Sequence, residues 1–171
     1  WGMWVFNNST VALYGSLTID ASNLGLWVTQ NSSVHSVLFR DSVVDITSGD
    51  TALLINNSRI ELGWNHPSQN TMTVSGNLVF KSSSGVFHAP LRFSPGSSLL
   101  VKNSDVDLYP LTSDGDPSDE AGYLSTAELS ALITCEGKTS VNPINRASNT
   151  PISVSNCWSN TQWKTLYSTS P

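Results

Sequence analysis

The segment Leu54-Ile55-Asn56-Asn57-Ser58-Arg59-Ile60 contains a short motif that recurs along the chain. The motif is Asn-Ser, then any residue, then Val or Ile, and an apolar pair precedes it in most copies. A weaker copy, Lys81-Ser82-Ser83-Ser84, falls where the spacing of the other copies leaves a gap. Self-similarity at such a spacing is typical of repeat architectures. The equivalent positions are Asn8, Asn31, Asn57, Ser82 and Asn103.

A coil of about two dozen residues built from short strands cannot bury its own apolar face, but a stack of coils can. The residues after each motif alternate as in a strand, with Ile60 and Leu62 expected to point inward. We therefore predict an all-β fold, a parallel β-solenoid of about five coils over residues 1–110. The five motif positions should form an Asn/Ser ladder at a strand-to-turn junction. A β-sandwich with coincidental spacing is the alternative architecture.

On coil length, the Asn column and the alternation, the chain resembles the right-handed parallel β-helix proteins. These include pectate-lyase-like enzymes, phage tailspikes, autotransporter passengers and repeat-built surface proteins of protists. The resemblance covers about residues 1–110 and implies a right-handed solenoid. It implies little about activity, because fold does not determine function.

Residues 111–171 differ from the repeats and predict a small C-terminal cap. Ser125 and Glu128 have the spacing of a capping box, and a short helix is expected near 118–133. Cys135 and Cys157 are predicted to form a disulfide that closes the loop between them, with two free buried thiols as the alternative. The start of the chain shows no comparable cap, so we expect further coils on the N-terminal side.

The surface is polar but carries few charges, since only 12% of residues are charged and the net charge is −5. The basic residues are scattered, which argues against a nucleic-acid partner. No apolar run reaches the roughly 18 residues of a membrane span. This composition favours an extracellular or cell-surface location. There the protein would be a glycoprotein, with glycans attached at Asn-x-Ser/Thr sequons. Sequons begin at Asn7, Asn8, Asn31 and Asn56.

An acidic turn precedes the predicted helix and suggests the one cofactor that we consider, a calcium ion. Asp114, Asp116, Asp119 and Glu128 provide the oxygen ligands that Ca²⁺ prefers, although the first half of an EF-hand loop is missing. Acidic residues are also favoured at helix N-termini without any metal. Both interpretations stay open at this point.

Catalysis of the lyase type would need several carboxylates converging on one outer face. The repeat places His35 beside Glu61, with Arg59 next to them and Asp105 and Asp107 two coils along. This pattern indicates a salt-bridged face rather than a three-carboxylate cluster, so no catalytic residue is predicted. The three histidines His35, His66 and His88 occupy different coil positions, which argues against a zinc site.

Exposed aromatic residues are the remaining candidates for ligand contact. Trp64 and His66 lie on a loop between strands and are predicted to contact a ligand, whereas Trp27 lies in an apolar strand and is expected in the core. The sequence thus predicts a non-enzymatic, extracellular structural or adhesive solenoid segment of a larger surface protein, which contacts cells or glycans. The alternative is the non-catalytic part of a carbohydrate-active β-helix enzyme or a viral tailspike.

Overall fold

A computed structural model describes residues 1–37, 42–64, 71–89, 91–108, 132–145 and 150–151. The secondary-structure elements of these residues are all strands, as the sequence predicts. In chain order they are β1 (Met3–Val5), β2 (Thr10–Tyr14), β3 (Leu17–Ala21), β4 (Leu24–Thr29), β5 (Ser33–Val37), β6 (Val43–Asn56), β7 (Arg59–Trp64), β8 (Thr71–Lys81), β9 (Ser84–Phe87), β10 (Leu91–Phe93), β11 (Ser98–Lys102), β12 (Asp105–Leu108), β13 (Ile133–Glu136), β14 (Ser140–Asn145) and β15 (Thr150–Pro151).

The strands stack in parallel to form a β-solenoid. The first sheet has the order β1-β4-β6-β8-β11-β13, and the second has the order β15-β14-β12-β9-β7-β5-β2. A third face is formed by β3, the first halves of β6 and β8, and β10, because β6 and β8 each continue around a corner into the first sheet. All three faces are described for about four turns. Beyond these, β11 and β13 extend the first sheet, and β12 and β14 extend the second.

The recurring motif sets the register of the stack. Ser33 pairs with Thr10 on one side and with Arg59 on the other, and the series continues through Ser84 to Asp105. All five predicted positions have positive φ: 57° at Asn8, 58° at Asn31, 49° at Asn57, 50° at Ser82 and 47° at Asn103. Asn tolerates this left-handed conformation better than most residues, which explains its recurrence.

The serine of the motif, rather than the asparagine, forms the continuous ladder between coils. From the second copy onward, each serine hydroxyl accepts a hydrogen bond from the backbone N–H of the serine one coil earlier, at 3.0–3.2 Å. The predicted asparagine ladder is present in part, since Asn57 Nδ2 donates to Asn31 Oδ1 at 2.9 Å. The serine ladder comprises Ser9, Ser32, Ser58, Ser83 and Ser104.

The core is a single hydrophobic cluster inside the coils, built from columns of stacked apolar side chains. Alternate residues of each strand point inward, so that equivalent Val, Ile, Leu and Phe residues stack on one another. Phe80 is fully buried and its ring lies over Gly85, where an added Cβ would come within 2.5 Å of the ring. Phe80 also meets Phe87 edge-on, with ring centroids 6.2 Å apart. The glycine therefore provides the space for a larger side chain from the neighbouring sheet.

Parallel pairing is also present beyond residue 110, within the segment that the sequence assigns to a C-terminal cap. Strand β13 pairs with β11 and β14 pairs with β12, both in parallel. Strand β15 then pairs antiparallel with β14, so the parallel order of the second sheet ends there. Of the helix predicted over 118–133, residues 118–131 lie outside the described residues, and Ile133 belongs to β13.

The predicted disulfide stays a prediction. Cys135 lies on β13, half-buried, in the inward column next to Val101. Cys157 lies outside the described residues.

Candidate functional site

Two of the predicted sites fall largely outside the described residues. Of the predicted ligand contacts, His66 is not described, and Trp64 is described only by its backbone, which pairs with Val37 at the end of β7. The predicted calcium ligands Asp114, Asp116, Asp119 and Glu128 are also not described. Within the described residues, no group of three or more His, Cys, Asp or Glu side chains is arranged to hold a metal ion.

The four sequon asparagines Asn7, Asn8, Asn31 and Asn56 are all exposed. Asn7, Asn8 and Asn31 have positive φ and lie at the corner that the motif forms. Asn31 Oδ1 accepts a hydrogen bond from Asn57 Nδ2 at 2.9 Å, so the Asn31 side chain is oriented by the neighbouring coil.

The outer side of the first sheet has an aromatic cluster, which we define as Trp1, Trp4, Phe6 and Trp27. The rings of Trp4 and Trp27 are stacked, with centroids 4.8 Å apart and planes 5° apart. Phe6 lies 4.5 Å from Trp4, and Trp1 lies 6.3 Å from Trp27. Trp1, Trp4 and Phe6 are 76%, 49% and 44% exposed. Four aromatic rings thus meet on the outside of the solenoid.

The register of the sheet produces this cluster. Met3 pairs with Leu26 and Val5 with Val28, and these residues point into the core. Trp4 and Trp27, which lie between them, must therefore point outward and sit directly above one another. The expectation that Trp27 belongs to the core is wrong, because its two strand neighbours already occupy the inward positions.

An apolar stripe continues from the aromatic cluster along the solenoid. Trp27 pairs with Leu54, and the same outward column continues through Val79 and Leu100, all of them half-buried. The column ends at the exposed Thr134. An apolar outer column of this length, next to an exposed aromatic cluster, is the type of surface that marks a binding region.

A polar cluster lies on the outer side of the second sheet. Arg59 contacts Glu61 at 3.2 Å, as the predicted salt-bridged face requires. Glu61 pairs in register with His35, as predicted, but its carboxylate is hydrogen-bonded to Nε2 of His88 at 2.9 Å. The backbone N–H of His88 donates to the carbonyl of Leu62 at 2.8 Å, which places His88 beside the end of β7 that carries Glu61.

Asp107 lies near this cluster, two strands from Glu61. Burial raises the pKa of Asp107 and the neighbouring Asp105 raises it further, whereas the hydrogen bond from Asn142 and the nearby His88 act in the opposite direction. Asn142 Nδ2 donates to Asp107 at 2.8 Å, and Ser140 donates to Asp105. This acidic pair is thus held by polar groups of the next coil.

Two buried side-chain nitrogens have no hydrogen-bond partner in the part of the chain that the structure describes. They are Nε1 of Trp27 in the aromatic cluster and Nδ1 of His88 in the polar cluster. Sequence reasoning missed both, because neither the stacking of Trp4 on Trp27 nor the contact of His88 with Glu61 follows from local sequence. The strand alternation around Trp27 was the signal that could have identified the first.

Comparison with protein-family models, with curated proteins and with solved structures finds no match to the chain. The described residues contain no helix with the length and hydrophobicity of a transmembrane span. The class that the fold defines is the parallel β-solenoid. The aromatic cluster and the polar cluster are the surface features of the described residues from which a function can be inferred.

Proposed function

We propose that this chain is a non-enzymatic, extracellular structural and adhesive segment of a larger surface protein, and that it uses its aromatic cluster for contact with glycans. The observation that carries the proposal is the stacked pair Trp4 and Trp27 on the outside of the first sheet, joined by Phe6 and Trp1. Large exposed aromatic rings cost free energy unless a partner covers them, so a cluster of them indicates a contact surface.

The chemistry around the cluster supports a sugar as the partner. Neither β1 nor β4, which carry Trp4 and Trp27, contains a charged residue. Aromatic rings combine an apolar body with a polar edge, in Trp through the indole N–H. Sugar rings have the matching character, with C–H groups on their faces and hydroxyl groups around their rims.

The rest of the molecule supports a scaffold role. A continuous apolar core and the serine ladder tie each coil to the next, so the aromatic cluster sits on a rigid support. Sites on strands are held more precisely than sites on loops. A rod of this type presents a lateral surface on stacked strands.

A glycan array tests the proposal. The wild-type chain is expected to bind a subset of glycans, and Trp4→Ala is expected to lose this binding. Tyr14→Ala is the matched control, because Tyr14 is 67% exposed and lies on β2 in the second sheet. Equal binding by Trp4→Ala and wild type, or turnover of a polysaccharide by the segment, would count against the proposal.

A second candidate function is supported by the polar cluster, namely that the segment belongs to a carbohydrate-active β-helix enzyme or a tailspike. Glu61 and Asp107 pair with the same residue, Val86, from opposite sides. Their backbones are therefore about 10 Å apart, two strand spacings, and both side chains lie on the outer side of the second sheet, where a pair of carboxylates is the group that glycoside hydrolysis uses. Release of reducing ends from a polysaccharide by the wild type, and its loss in Glu61→Gln, would favour this candidate.

A further inference from the structure

The indole N–H of Trp27 is a hydrogen-bond donor without an acceptor. Nε1 of Trp27 is buried and has no partner among the described residues. The rings that contact Trp27 are Trp4, stacked at 4.8 Å, and Trp1, tilted by 51° with its centroid 6.3 Å away. Aromatic rings do not supply a strong acceptor, so this donor is left unsatisfied within the aromatic cluster.

A buried donor that lacks a partner is unfavourable, and the indole N–H of Trp is usually paired when it is buried. We infer that the acceptor is supplied by a ligand: the aromatic cluster binds a neutral, hydroxyl-bearing sugar chain, and one sugar hydroxyl accepts the hydrogen bond from Trp27 Nε1. This inference rests on the proposed function and adds to it the class of glycan and the residue that orients it.

Trp1 is the group to which we assign the movement that lets a sugar hydroxyl reach Nε1. Its ring contact is with Trp27, and it lies before β1, outside the paired strand residues. Trp4 and Trp27 are held by the sheet register and stay in place.

The choice of a neutral sugar over other partners follows from what the cluster lacks. A purely apolar partner, such as a second copy of the same aromatic cluster, would cover the rings and leave the indole N–H unpaired. A charged ligand would find no countercharge on β1 or β4. A sugar supplies an apolar face for the rings and a hydroxyl oxygen for the donor.

The apolar stripe sets the direction of a longer ligand. Leu54, Val79 and Leu100 continue the outward column that begins with Trp4 and Trp27. A sugar chain that starts at the aromatic cluster would therefore run along the solenoid axis and contact one apolar side chain at each strand. Hexasaccharides are then expected to bind more tightly than the corresponding disaccharides.

The test uses cellohexaose and chitohexaose as neutral probes, with titration calorimetry and ¹⁵N-detected NMR of the indole N–H groups. At least one hexasaccharide is expected to bind, with the Trp27 indole proton moving downfield as it gains an acceptor. Trp27→Phe keeps an aromatic ring on Trp4 but removes the donor, and we expect its Kd to rise about tenfold, as for one lost hydrogen bond. Trp4→Ala should abolish binding, whereas Tyr14→Ala, on the second sheet, should bind as the wild type does.

The outcomes separate the inference from the proposed function. If Trp4→Ala loses binding while Trp27→Phe binds as tightly as the wild type and the Trp27 indole signal does not move, the donor role is overturned and the glycan surface stands. If neither hexasaccharide binds the wild type, the inference is overturned, and the proposed function fails only if the glycan array is negative as well. Sedimentation that shows self-association lost in Trp4→Ala would assign the cluster to a second copy and would also overturn it.

Discussion

Replacing Ser104 by Ala removes one step of the serine ladder. The Ser104 hydroxyl accepts the backbone N–H of Ser83 at 3.0 Å and donates to the carbonyl of Lys102 at 2.7 Å, and Ser104 is only 3% exposed. In Ser104→Ala the Ser83 N–H keeps its place but loses its acceptor. An unsatisfied buried donor costs about 1–3 kcal/mol, so we expect the free energy of unfolding to fall by about 2 kcal/mol. For a chain of this length the melting temperature should fall by about 4–8 °C.

The measurement combines urea denaturation, followed by circular dichroism, with amide hydrogen exchange. Exchange at Ser83 should accelerate more than exchange elsewhere, because stacked coils open locally. Ser33→Ala is the matched control, since the Ser33 hydroxyl contacts only Thr10 Oγ1, at 3.0 Å on an exposed surface. Its effect should stay within about 0.5 kcal/mol. Equal losses in the two variants would refute the reasoning that the ladder satisfies buried backbone donors.

Three further predictions concern pH, packing and backbone conformation. Because burial raises the pKa of Asp107 above its ordinary value of 3.8, the wild type should lose stability as the pH rises from that value through the raised pKa. Asp107→Asn can still accept from Asn142 but should lack this loss. Urea denaturation of both proteins from pH 3 to 7 checks this, and a difference in their unfolding free energies that does not change with pH would contradict the assignment. Gly85→Val should clash with the Phe80 ring and lower stability by about 1–3 kcal/mol in thermal unfolding; an unchanged melting temperature would show that the ring can move. Asn57→Val should cost about 1–2 kcal/mol because φ is 49°, whereas Asn57→Gly should be tolerated, and the reverse order would be inconsistent with a left-handed turn.

The repeat allowed the coils and the register of the stack to be predicted, because Asn57 and its equivalents recur at a fixed offset from the following strand. It did not reveal which side chain of the motif connects the coils. Asn57 and Ser58 recur together. Only the geometry shows that the Ser58 hydroxyl accepts the backbone N–H of Ser32, and the Ser58 N–H donates to the Ser83 hydroxyl, while Asn57 adopts the left-handed turn. Two residues that recur as a unit cannot be assigned separate roles from the sequence.

The surface clusters were less predictable than the fold. The contact of His88 with Glu61 joins residues 27 positions apart on neighbouring coils, and His88 lies outside the recurring motif. The strands after residue 131 escaped prediction because Pro143 lies within β14 and a long non-repetitive segment precedes them. Proline is rare inside sheets, so a pattern-based reading takes such a segment for a loop.

The most direct test of the central claim, a parallel solenoid in the register described, is the detection of backbone hydrogen bonds by NMR. Scalar couplings across hydrogen bonds identify the carbonyl that each amide nitrogen contacts. We expect the N–H of the residue that follows each motif serine, and that of Ser140, to couple to the carbonyl of the motif serine one coil earlier. Reciprocal pairs of the antiparallel type along these strands, or partners outside this series, would contradict it. The predicted pairs are Ser33 with Ser9, Arg59 with Ser32, Ser84 with Ser58, Asp105 with Ser83, and Ser140 with Ser104.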